Sequence, residues 1–194
     1  MIVILNWIVF LFILVTTTGL LLYRDWRWSI GFLAIQYIGV FWLVQTHWSL
    51  SMAATKLVTG WMVCAILGIA KLNINPAQET EGFWPHGRLF RLFTGGIILA
   101  STFALSLRGS SWLGLSLPVT WSSLILCGMG LLQLGISSQP LRVIIGLLTI
   151  LAGFEVLYAS VESSTLVAAL LSVVNLGLAL IGAYFINPTL EEIS

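Results

Sequence analysis

Stretches of nearly uninterrupted apolar residues alternate with short polar segments along the whole chain. Seven such stretches stand out: Ile2–Leu22, Ser29–Thr46, Ser51–Ala70, Leu89–Leu107, Val119–Ile136, Arg142–Val161 and Ser164–Ile186. A helix of roughly 20 apolar residues matches the hydrocarbon thickness of a bilayer. Barrel strands would be shorter and would alternate apolar with polar. Lipid also leaves no partner for the free backbone groups of an open strand, so helices are the default. The pattern predicts an all-α, polytopic membrane bundle of seven transmembrane helices in a single domain covering residues 1–194.

Composition agrees. Of 194 residues, 59% are hydrophobic and 8% charged, against about 25% charged in a soluble domain. Too few polar residues are present to coat a water-exposed surface. The net charge of +1, with no basic cluster, gives no footprint for nucleic acid. Cys64 and Cys127 each sit inside an apolar run and read as small buried hydrophobes. The N-terminus has no Lys or Arg before Tyr23 and no clear cleavage site, so the first helix is expected to be retained.

Basic residues predict the orientation. Arg24 and Arg27 fall between the first two helices, Lys71, Arg88 and Arg91 between the third and fourth, and Arg142 before the sixth. The opposite side has only Arg108, with Lys56 inside a helix. This predicts an integral cell (inner) membrane protein with its N-terminus outside and its C-terminus in the cytoplasm. Trp26, Trp28, Trp48, Trp84, Trp112 and Trp121 fall near helix ends, as an interfacial aromatic belt would place them. The one sizeable polar segment, KLNINPAQETEGFWPHGR (71–88), reads as a cytoplasmic connector or a docking surface for a neighbouring subunit.

A weak internal repeat is readable. RWSIGFLAIQYIGVFWLV and RVIIGLLTILAGFEVLYA both place Arg four residues before Gly, and the helices that follow align at an offset of 114 positions. Units 1–70 and 118–186 would then be parallel three-helix copies. Loop 71–88 and a linking helix over 89–107 would join them.

Among the polar residues inside the spans, four are candidates for chemistry. Charges inside a bilayer are expensive and usually face protein or water. Glu155 lies thirteen residues past Arg142, ~20 Å along a helix, beyond the midplane toward the outer leaflet. Ala152 and Ala159 share its face and suit close helix contact. It reads as a proton-relay carboxyl, as a protonated group bonded to a neighbouring helix, or as a helix-end residue reaching water. Lys56 lies five residues into its predicted helix, where its stem could carry the ammonium outward to water or hold it at an internal site. Gln36 and Asn175 read as interhelical hydrogen-bonding groups or as members of the same path.

Much other chemistry finds no sequence support. His47 and His86 are the only histidines, neither within a predicted span. No CxxC, HExxH, phosphate-binding glycine loop or nucleophilic triad occurs. No metal, cofactor site or intrinsic catalysis is expected. The glycines of TGG (94–96) and CGMG (127–130) read as packing points.

The segment LLQLGISSQPLRVIIGLLTILAGFEVLYA (131–159), with Arg in the turn and IGL opening the next helix, resembles the K-type membrane subunit of respiratory complex I. The first half, with Gln36 and Lys56, is similar to the longer E-type membrane subunit of group 4 hydrogenases. The family's glutamate two residues after that glycine is replaced by Leu148, and by Leu33 in the first copy; Glu155 comes two turns later. The resemblance implies a non-catalytic membrane subunit of a redox-driven proton-translocating complex, with antiporter-like subunits as partners. In such a subunit the relay candidates already read from the spans would divide the work, Glu155 and Lys56 as polar relay points and Gln36 and Asn175 ordering side chains or water between them. A stand-alone small transporter or channel and a structural or assembly protein are the competing readings.

Overall fold

The computed structural model describes residues 2–23, 25–72 and 87–186. Seven helices follow in order: α1 (Ile2–Leu22), α2 (Trp26–Gln45), α3 (Leu50–Leu72), α4 (Arg88–Leu113), α5 (Leu117–Ile136), α6 (Pro140–Val161) and α7 (Thr165–Ile186). All seven are long and apolar enough to cross a membrane, and no strand occurs among the described residues. The chain is an integral membrane helix bundle. Most of loop 71–88, with Trp84 and His86, lies outside the described residues, as does Arg24.

Local chemistry sets the ends. Pro118 and Pro140 open α5 and α6 in the first turn, where a missing N–H costs nothing. α4 stops at Gly114, whose φ of 67° is the left-handed cap conformation that a side chain would strain. This helix runs six residues beyond the expected Leu107, so Arg108 lies within α4. The reason is local. Ser110 and Ser111 return their hydroxyls to the carbonyls of Leu107 and Arg108 at 3.2 and 2.8 Å, so the polar run stays helical.

The helices form two rows. α1, α2 and α3 pack side by side, as do α5, α6 and α7. Across the rows α1 meets α5, α2 meets α6 and α3 meets α7, while α4 flanks α5. α6 is the most buried span and α4 the least. The α5–α6 seam is the closest. A β-carbon on Gly153 would stand 2.7 Å from the Ser123 carbonyl oxygen and 2.7 Å from Cys127 Sγ. One on Gly130 would stand 2.8 Å from the Gly146 carbonyl oxygen. The missing side chains let Ser123 donate to the Gly153 carbonyl at 2.7 Å. Gly96, by contrast, has open space beside it and packs against nothing.

Both ends of the bundle are tied across the rows. At one end the Arg142 and Arg91 guanidiniums donate to the carbonyls of Tyr23 and Leu21, at 3.1 and 3.3 Å. Cations there complement the negative end of the α1 dipole. At the other end Trp48 is buried and its indole N–H donates to the Glu162 carbonyl at 2.9 Å. Trp48 is therefore a strut between the α2–α3 turn and the end of α6, which corrects its expected place in a lipid-facing aromatic belt. Trp112 is highly exposed, on the outer surface of α4.

Candidate functional site: a buried ion pair

Two of the bundle's apolar clusters lie toward opposite ends, a third joins α1 to α5, and a polar layer lies at the boundary of the first two. α2 passes from one cluster to the other between Tyr37 and Val40, α3 between Ala53 and Val63, α6 between Leu148 and Ala152, and α7 between Ala168 and Ala179. Lys56 and Asn175 sit within two of those intervals, Gln36 comes directly before Tyr37 at the edge of the first cluster, and Glu155 lies between Ala152 and Val156 at the edge of the second.

Helix register puts the charges together. Lys56 follows the start of α3 by six residues and Glu155 precedes the end of α6 by six, ~9 Å in each case. Asn175 is ten residues into α7, ~15 Å. α2 and α6 run parallel, and α3 and α7 antiparallel to both, so Lys56 and Glu155 share a depth and Asn175 lies about one turn deeper, all in the half of the bundle nearer the α2–α3 and α6–α7 turns. There Lys56 Nζ donates to Glu155 Oε1 at 2.7 Å, and Asn175 Nδ2 donates to the same oxygen at 2.8 Å. Exposure is 3% for Lys56, 1% for Glu155 and 2% for Asn175. Lys56 thus turns inward to its partner and does not reach the membrane surface along its stem.

Two neighbours complete the layer. Gly60, one turn past Lys56, is covered by the Tyr37 ring so closely that a β-carbon would collide with Tyr37 Cγ. Tyr37 lies within electrostatic reach of Glu155. The Tyr37 hydroxyl, Gln36 Oε1 and Asn175 Oδ1 are buried with no hydrogen-bond partner among the described residues. Gln36 therefore shares the layer without bonding to the pair. Tyr37 was not among the sequence candidates; the available signal was a phenol at mid-span, directly after Gln36.

Burying opposite charges together leaves a site with no net charge, which relieves most of the cost of a lone ion in hydrocarbon. The ammonium and carboxylate each require the other. The short N–H···O contact also lets a single proton sit on either atom. No cluster of three or more His, Cys, Asp or Glu side chains forms among the described residues. Cys64 and Cys127 take part in no disulfide.

A cleft of about 220 Å³ leads to the pair, lined by Met52, Thr55 and Lys56 of α3 and Thr165, Ala168, Ala169 and Ser172 of α7. Comparison with protein-family models, curated proteins and solved structures finds no match to this chain.

Proposed function

We propose that the chain is a non-catalytic membrane subunit of a redox-driven proton-translocating complex, in which Lys56, Glu155 and Asn175 form a station that holds and passes a proton. The observation that carries this reading is the 2.7 Å Lys56–Glu155 contact, buried where two apolar clusters meet. An ion pair in the membrane interior is costly to keep without use. The unpartnered oxygens of Tyr37, Gln36 and Asn175 supply further sites that a proton or water could occupy.

The position of the basic residues supports an N-terminus outside and a C-terminus in the cytoplasm, which puts the pair in the outer half of the membrane. Large apolar side chains lie exposed along α4, among them Leu89, Phe93, Ile97 and Leu105, and suit partner helices as well as lipid. A stand-alone solute transporter is less well supported. The cleft is below the roughly 300–1,000 Å³ typical of small-molecule sites, so it suits water and protons better than a metabolite.

The test is mild solubilisation of the native membrane, identification of what co-purifies, and measurement of ion coupling with Glu155→Gln. Co-purifying redox or antiporter-like subunits, with coupling lost in an assembled Glu155→Gln complex, are expected. Isolation without such subunits, or unchanged coupling, would overturn the reading.

A further inference from the structure

The cleft between α3 and α7 is built from the beginnings of both helices. Thr165 is the first residue of α7, and Ala168, Ala169 and Ser172 extend from it by two turns. Met52, Thr55 and Lys56 occupy the corresponding turns of α3. The opening therefore lies toward the α2–α3 and α6–α7 turns, and its inner end is Lys56. Three lining residues, Thr55, Thr165 and Ser172, bear hydroxyls.

The other direction is closed. Beyond the pair, Val63 and Leu67 of α3, Ile145 and Leu148 of α6 and Ala179 of α7 are fully buried in one apolar cluster. Gly182 lets α7 close down further, since a β-carbon there would meet Ile144 at 2.8 Å and Leu67 at 3.1 Å. Asn175 Oδ1, one turn below Ser172, is a buried acceptor with no partner among the described residues, placed where the hydroxyl-lined path gives way to the ion pair. A cleft of this volume has room for several waters at about 30 Å³ each.

We propose that this cleft is a one-sided aqueous vestibule, through which Lys56 exchanges protons with the membrane face bearing the α2–α3 and α6–α7 turns and with no other. The inference rests on the relay reading above and adds its direction. The exchange is a proton transfer alone: an N–H bond of the ammonium breaks as an O–H bond of hydronium forms, and the reverse restores it. Glu155, itself bonded by Asn175, holds Nζ at the inner end throughout. Tyr37, on the side of α3 that faces α2, is the other titratable group beside the pair.

Sidedness of thiol labelling tests this. In a Cys64→Ala, Cys127→Ala background, single cysteines are placed in the vestibule (Ala168→Cys, Ser172→Cys), below it (Leu148→Cys) and at landmarks on each face (Ser163→Cys, Ser138→Cys). A small, charged, membrane-impermeant methanethiosulfonate is applied to vesicles of either orientation. Ala168→Cys and Ser172→Cys should label in the orientation that labels Ser163→Cys, Leu148→Cys should label in neither, and adding Ala169→Phe should abolish labelling of Ser172→Cys. Labelling of the vestibule positions in the orientation that labels Ser138→Cys overturns the proposal. So does labelling only by a lipid-soluble maleimide, which would make the cleft a lipid-facing groove. Each test position is also combined with Ser163→Cys, whose labelling, resolved by mass spectrometry of the cleaved peptides, reports that the variant has inserted. Labelling reads water access and the Glu155→Gln coupling assay reads the subunit role, so failure of one is distinct from failure of the other.

Discussion

Mutual dependence of Lys56 and Glu155 can be measured by a double-mutant cycle. Lys56→Met keeps the length of the stem and deletes the ammonium, leaving the carboxylate in a site 1% exposed, with Asn175 as its remaining donor. Removing one partner of a buried pair costs about 3–5 kcal/mol. Glu155→Leu does the converse and also strips Asn175 Nδ2 of its acceptor, which adds about 1–3 kcal/mol for an unsatisfied buried amide. The double variant places two apolar side chains of similar volume together and retains only the Asn175 penalty. Each single change should therefore destabilise more than both together, with a coupling energy on the order of 3 kcal/mol or more. Reversible unfolding in mixed micelles at one fixed pH gives the three differences. A fixed pH matters because proton uptake by the orphaned carboxyl trims its penalty. If the two single costs simply add in the double variant, the 2.7 Å contact carries no coupling, and the station argued from it fails.

Other outcomes follow from particular contacts. Gly153→Ala drives a β-carbon into the Ser123 carbonyl and Cys127 Sγ and should cost about 1–3 kcal/mol, whereas Gly68→Ala, with open space beside it, should be neutral or stabilising by up to about 1 kcal/mol; equal effects on unfolding would contradict the packing of the α5–α6 seam. Trp48→Phe removes the indole donor to the Glu162 carbonyl and should cost about 0.5–1.5 kcal/mol, with hydrogen exchange rising at the α2–α3 turn; no change in either would sink the strut. His47 is exposed in that turn, yet the neighbouring protein displaces enough water to disfavour its imidazolium and holds its titration below the usual 6.5. Its sign is that of a depressed base. The unfolded chain takes up the proton first, so stability declines as pH falls through 6.5 toward the folded value and is flat above it; NMR of labelled histidine that finds His47 titrating at or above 6.5 would reject this.

The helices were legible because lipid makes length and apolarity sufficient signals. The first span was read as Ile2–Leu22 and is found there. The end of α4 was not legible, since LRGSSWL looks like a loop until its serines bond to their own helix. Trp48 shows the same limit in reverse. A tryptophan at a helix end fits an interfacial belt on pattern alone, and only the approach of Glu162, 114 residues away, draws its N–H inward.

The candidate site divides along the same line. Polarity inside an apolar run flagged Glu155, Lys56, Gln36 and Asn175 one at a time, because desolvation acts on each residue singly. Their relation to one another was out of reach. Lys56 and Glu155 are 99 residues apart, on opposite rows of the bundle, and no periodicity joins them. Packing also redefined Lys56. A position six residues into α3 permits the ammonium to reach the membrane surface, and what prevents it is a carboxylate presented by α6 and an amide presented by α7. Gln36 completes the contrast, sharing the polar layer yet finding no partner among the described residues. A lone polar residue in a span marks a depth, and its chemistry is decided by which other spans place polar residues at that same depth.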